Sequence, residues 1–229
     1  MRRPDEVSRA SLGLLTLKQA LGKACAPVAE ESRTVHRTIG NWMTSYLMSA
    51  HPELGRTGDV CPFAAHASRL ETIRIGVCAA REDEVSLITS VVRACCRELH
   101  DIPCPDAMRH FRAIVIGFPN VRNENPSSLK VAQSRLRFYA LLRGLMIGRF
   151  HATSEDPGLW NPSFRPLRSP IPLIAIRHLT KNDAPFVVAH PILIPTFVAK
   201  FPIAGPKGLF TTLMRMDSST HSQPPGSPP

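Results

Sequence analysis

Two short segments concentrate the side chains able to do chemistry. The first, His51–Phe63, reads His-Pro-Glu-Leu-Gly-Arg-Thr-Gly-Asp-Val-Cys-Pro-Phe. It carries the His51 imidazole, the Arg56 guanidinium and the Cys61 thiol in one loop. Gly55 and Gly58 permit positive φ and close backbone approach, and Pro52 and Pro62 stiffen the two ends. Read as a ligand site, His51 acts as acid/base, His51 or Cys61 contacts substrate, metal or heme, and Arg56 holds an anion. Read as a connection, the loop joins a helix to a strand, with Cys61 and Phe63 filling the core, since free cysteine behaves as a small buried hydrophobe.

The second segment spans residues 148–170 and includes Gly-Arg-Phe-His at 148–151 and Asn-Pro-Ser-Phe-Arg-Pro-Leu-Arg-Ser-Pro at 161–170. Five prolines lie between residues 157 and 172. They fix φ, so the loop loses little entropy on ordering. Arg165 and Arg168 on such a loop suit a clamp for carboxylate or phosphate, which guanidinium binds bidentately. The competing reading pairs them with acidic side chains or helix carbonyls. His151 is the second acid/base or ligand candidate, against a hydrogen-bonded structural role.

The blocks at 51–63, 146–151 (Met-Ile-Gly-Arg-Phe-His) and 161–170 resemble an uncharacterised bacterial family, a domain of unknown function found near specialised-metabolite genes. The resemblance spans about Trp42 to His178. It implies no established activity and transfers no catalytic role, but it points to the same two loops. Arg149 stands where the resemblance implies a neutral polar residue. The order of Cys61-Pro62 and nearby histidines also resembles heme-using N-hydroxylases, which motivates a heme-dependent oxygenase as one further alternative.

Other constellations are weaker. Cys95, Cys96, His100, Cys104 and His110 match no common zinc spacing, and Cys95 falls on an apolar stripe, so no metal site is expected. Neither Gly-x-Gly-x-x-Gly nor Gly-Lys-Ser/Thr occurs, and Gly-x-Ser-x-Gly is absent. After Glu124 the acidic residues are Glu155, Asp156, Asp183 and Asp217, too sparse for metal–oxygen chemistry there. The net charge of +10 comes mostly from residues 121–229, with 13 basic and 5 acidic side chains. A basic half is compatible with nucleic acid. Lys130, Arg135, Arg137, Arg143 and Arg149, however, scatter round a helix, and aromatic residues make up only 6% without basic–aromatic interleaving. A nucleic-acid partner is therefore not expected. Six cysteines, two of them adjacent, read as reduced thiols of a cytoplasmic protein. Neither a signal peptide nor a membrane span is expected.

The elements that must position these loops follow from periodicity. Val35, Ile39, Trp42, Met43 and Tyr46 form one apolar stripe, ending before His51-Pro52. Thr72–Cys78 alternates as a strand with one buried face. Glu82-Asp83-Glu84 opens a helix with an acidic first turn. Phe111–Phe118 reads as a buried strand. Asn125–Ser128 starts a helix running to about Ile147, its second half deep in the core. Pro172–Leu179 gives a third strand, and residues 187–201 fit either helix or strand. The order predicts an α/β or α+β protein, with a small central sheet of at least three strands, helices packed on it and two rigid Gly/Pro-rich loops. The expected organisation is an N-terminal, partly helical arm at 1–27, one globular domain at 28–215 and a disordered Ser/Pro-rich tail at 216–229.

Three functional expectations follow. The leading one is a cytosolic small-molecule enzyme of specialised metabolism that binds an anionic substrate or cofactor between loops 51–63 and 148–170. The alternatives are a non-catalytic binding or accessory protein, and the heme-dependent oxygenase. The discriminating observation is whether the two loops converge on one pocket.

Overall fold

The computed structural model describes residues 12–22, 28–188, 193–202 and 206–211. At its centre is a mixed five-stranded sheet, and the fold is α+β. The strands are β1 (Leu15–Thr16), β2 (Ile73–Val77), β3 (Ala113–Gly117), β4 (Leu145–Phe150) and β5 (Leu173–His178), in the order β1-β2-β3-β5-β4. Only β2 and β3 run parallel, joined through helix α4 (Val85–Glu98); the other pairings are antiparallel.

Strand alternation divides the core into two layers. Ile114, Ile116, Ile174 and Ile176 face α4 and α5 (Ser127–Leu142), meeting Ile88, Val92, Cys95, Leu129 and Leu136. Ile73, Ile75, Val115 and Leu173 face the other way, toward α1 (Leu17–Leu21), α2 (Glu30–Trp42) and α3 (Ala64–Arg69). Helix α2 continues as a π-helical turn, Met43–Leu47, so Ile39, Met43 and Leu47 share this second layer. A third cluster joins Leu141 and Leu179 to the short helices α6 (Ala184–Val188) and α7 (Ile194–Lys200). These helices settle the helix-or-strand alternative for the described part of 187–201.

The sheet is larger than the three predicted strands, and β4 accounts for a correction. The predicted long helix ends at Leu142, not near Ile147. Gly144 takes φ 71° and turns the chain, the left-handed exit that glycine permits after a helix. Leu145–Phe150 then returns as a strand against β5. The second half of α5 is deep in the core on one side only: Leu136, Ala140 and Leu141 are buried, while Phe138 and Leu142 are 50% and 52% exposed. The second loop therefore starts at His151, and no helix or strand occurs again before Leu173.

Within the stretch predicted as an N-terminal arm, residues 12–22 join the fold. Leu15 and Thr16 pair with β2, and Leu15, Leu17 and Ala20 are buried. The buried His36 ring lies within hydrogen-bond distance of the Gly13 carbonyl, 2.8 Å, and the Ser32 carbonyl, 2.6 Å, tying this stretch to α2. The tail predicted at 216–229 lies outside the described residues. Glu82, placed by sequence in the first turn of its own helix, instead serves α5. Its carboxylate accepts from Ser127 Oγ (2.7 Å), Ser128 N (2.8 Å) and Arg122 N (3.3 Å), satisfying amides that open the helix. Partial burial raises the Glu82 pKa, but these hydrogen bonds outweigh it and leave a net lowering.

Candidate functional site

The two predicted loops meet over the end of α2. The first is closed at its base by the Ala50–Asp59 bridge, by Val60 N donating to Ser49 O (3.0 Å) and by Cys61 N donating to Leu47 O (2.8 Å). His51 caps the short 3-10 turn Pro52–Leu54, its Nδ1 accepting from Glu53 N at 3.2 Å. Leu54 is buried beneath, and Gly55 follows with φ 77°. A side chain at Gly55 would come within 3.0 Å of the Trp160 carbonyl group, so the missing Cβ lets the loops touch.

The second loop answers with polar and aromatic contacts. Asn161 Nδ2 donates to Glu53 O at 2.7 Å. The Phe164 ring lies 4.6 Å from the His51 ring and 6.4 Å from Tyr46. Tyr46 Oη donates to Arg165 O at 3.3 Å. Between these groups lies a cleft of about 500 Å³. Trp42, Tyr46, His51 and Phe164 give it aromatic walls, and Arg165, Arg168, Ser169 and Glu53 supply its polar lining.

Arg165 and Arg168 are held in complementary ways by Glu155. Arg165 Nε donates to Glu155 Oε2 (3.1 Å), and Arg168 Nη2 donates to Glu155 Oε1 (2.8 Å). Arg165 Nη1 also donates to Pro162 O (2.5 Å), and Arg168 Nε to Ser154 O (3.2 Å). One terminal nitrogen on each, Arg165 Nη2 and Arg168 Nη1, makes no hydrogen bond among the described residues. The two arginines hold the Glu155 carboxyl below its usual pKa by hydrogen bonds. Burial raises the Tyr46 phenol pKa while Arg168 works against the rise, so the Tyr46 hydroxyl is a neutral hydrogen-bonding group.

Of the six sequence-predicted site residues, the structure brings His51, Arg165 and Arg168 to one cleft. Arg56 turns into its own loop, donating to the carbonyls of Thr57 (2.9 Å), Asp59 (2.7 Å) and Val60 (3.2 Å). Cys61 packs half-buried against the second core layer and does not line the cleft. The Cys61–histidine pair that motivates a heme ligand set is therefore not assembled there. His151 is buried, with Nδ1 3.3 Å from Thr153 Oγ1, and stays outside the lining. Burial, then Arg149, lower its pKa, with Asp156 opposing.

Sequence reasoning missed Trp42, Tyr46 and Phe164 as site residues. The first two belong to the stripe predicted as core. Their signal was the surplus of aromatic rings at the last turn before His51, where a helix stripe leaves the core. The zinc-like group is dispersed: Cys95 and Cys96 are fully buried in the first layer. Among the described residues no three His, Cys, Asp or Glu side chains gather as a metal site requires. Nor does any described helix have the length and apolarity to cross a membrane.

The chain belongs to the family described as domain of unknown function DUF6875, which it matches over residues 36–210. That span contains both loops and α5, and it reaches beyond the Trp42–His178 stretch on both sides. No curated protein and no solved structure matches the chain.

Proposed function

We propose that this protein binds a small planar anion, an aromatic carboxylate or phosphate, in the cleft between loops 51–63 and 151–170. The observation that carries this reading is the sharing of one cleft by two arginines and four aromatic rings. Each arginine keeps an unengaged terminal nitrogen for the ligand, and planar guanidinium nitrogens suit a two-oxygen acceptor. Trp42, Tyr46, His51 and Phe164 supply flat surfaces for the ligand body.

His51 gives this reading its chemistry. Because Nδ1 accepts from the Glu53 amide, the neutral ring carries its proton on Nε2. His51 thus offers a hydrogen-bond donor at Nε2; acting as a general acid would require the imidazolium, which gives up the Nδ1 contact with Glu53 N. The enzyme version of this reading, a small-molecule enzyme of specialised metabolism, rests on that donor lying beside the two arginines. The accessory-protein reading is favoured by a different observation: the partner at Nδ1 is a backbone amide rather than a carboxylate that would stabilise an imidazolium. Free thiols at Cys61, Cys78, Cys95, Cys96 and Cys104 support placing the protein in the reducing cytoplasm.

The test is ligand-observed NMR of the purified chain with benzoate, indole-3-carboxylate and phenyl phosphate. At least one should bind, and Arg168→Ala should weaken it about tenfold, the cost of one charge-assisted hydrogen bond. If none binds, the anion-site reading fails. Turnover separates the two versions: loss of product by His51→Ala with retained binding identifies the enzyme.

A further inference from the structure

Glu155 is the unusual member of the site. Its side chain is 71% exposed, yet each carboxylate oxygen takes a different arginine of the cleft, Oε2 from Arg165 and Oε1 from Arg168. A surface carboxylate with no other support costs side-chain entropy to hold there. Its effect on the cleft is electrostatic as well as geometric. Arg165 and Arg168 together present two positive charges, and Glu155 cancels one of them. Glu53 adds a second carboxylate to the lining itself. The two arginines and two carboxylates thus sum to zero charge, so each negative charge on a ligand goes uncompensated overall and a dianion is opposed more strongly than a monoanion.

We propose that Glu155 sets the valence of the anion seat, so that the ligand is an aromatic monocarboxylate and phosphate dianions are rejected. This rests on the anion-site reading above. A carboxylate accepts from two donors, and Arg165 Nη2 and Arg168 Nη1 are the terminal nitrogens left without a partner among the described residues once Glu155 has engaged the two side chains. A phosphate monoester carries close to two negative charges above its second pKa near 6. Beside the Glu155 and Glu53 carboxylates it would leave two negative charges uncompensated, where a monocarboxylate leaves one. Glu155 is thus a specificity-determining and positioning residue rather than a catalytic one. Phosphate selectivity would call for the opposite arrangement, arginines with no internal carboxylate.

The experiment titrates the full chain with benzoate and with phenyl phosphate at pH 8, by calorimetry, for wild type, Glu155→Gln and Glu155→Ala. Wild type should favour benzoate. Both variants should shift the affinity ratio toward phenyl phosphate by about fivefold or more, the effect expected of removing one nearby charge at a partly solvated site. Glu155 is exposed, so both variants should keep the wild-type melting temperature. A Glu155 that merely positioned the arginines would lower both affinities together and leave the ratio unchanged, which overturns the valence role while the anion site stands. Wild-type preference for phenyl phosphate overturns it too. If wild type binds neither probe, the underlying anion-site reading falls and the valence role falls with it.

Discussion

The His51 imidazole lies against the Phe164 ring, centroids 4.6 Å apart with 36° between the planes. This contact joins the two loops at the cleft, and Phe164 is only 5% exposed. Phe164 is thus both a core side chain and a wall of the site.

Phe164→Ala should accordingly fail in two measurements at once. Removing a buried phenyl group costs about 3 kcal/mol, read as a lower melting temperature. The same variant should lose affinity for aromatic carboxylates, because the His51 ring loses its support. Phe164→Leu keeps much of the apolar volume and should recover most of the stability while binding stays weak. Recovery of binding along with stability would show that ring stacking is not what the site requires.

Arg56 and Arg168 look equivalent in sequence but should behave oppositely. The Arg56 guanidinium serves three carbonyls of its own loop. Arg56→Ala should therefore destabilise the protein by about 1–2 kcal/mol and leave ligand affinity nearly unchanged under conditions where the fold is intact. Arg168→Ala should do the reverse, losing affinity with little change in melting temperature. Thermal denaturation paired with calorimetric titration of both variants decides the assignment, and a loss of affinity in folded Arg56→Ala would return that residue to the site.

The cysteines should separate by reactivity. Burial pushes the Cys96 thiol up to about 12, with nearby Arg143, Arg93 and Arg97 opposing, and raises Cys95 further, the Glu98 charge adding to burial. Cys78 is raised as well, mainly by burial. Since the thiolate is the nucleophile, iodoacetamide at pH 8 should leave these three unmodified in the native chain, while half-buried Cys61 and Cys104 react. Peptide mass spectrometry reads each site. Rapid native labelling of Cys95 would contradict its place in the core.

Legibility in the sequence followed physical locality. Ile73, Ile75 and Val77 alternate, so β2 could be read from its own residues, and Pro52 marked where the preceding helix must stop. β4 could not be separated from α5 by hydrophobicity, because Leu141, Leu142, Leu145, Met146 and Ile147 are apolar in either conformation. The boundary signal was Gly144, a single residue. β1 has two residues and exists only because β2 offers it an edge. At the site, the loops carrying His51, Arg165 and Arg168 were legible as dense motifs with unusual backbone residues. Their joint with Tyr46, and the orientation of Arg56 and Cys61 away from the cleft, depend on contacts between distant segments that no local pattern records. The alternative that Arg165 and Arg168 pair with an acidic residue is the one the structure contains, through Glu155, and the anion role is a proposal built on the terminal nitrogens that pairing leaves over.

His178 should make stability fall in mild acid. It ends β5 with its ring 5.5 Å from His100. Its buried Nε2 has no hydrogen-bond partner among the described residues. Burial first, then the charges of His100, Arg112, Arg109 and His110, lower its pKa to about 4. The unfolded chain takes up this proton near pH 6.5, the folded chain only near 4. Between those values the unfolded state binds more protons, so stability rises with pH and is lost as pH falls through the window. A fully buried group with that shift would contribute ~3 kcal/mol, and solvent reaching part of the ring reduces the amount. Urea denaturation at pH 7, 6, 5 and 4 should show wild type weakening across the series. His178→Gln, which cannot charge, should lose part of that slope while His100→Gln loses less. An unchanged slope in His178→Gln would assign the acid sensitivity to other groups.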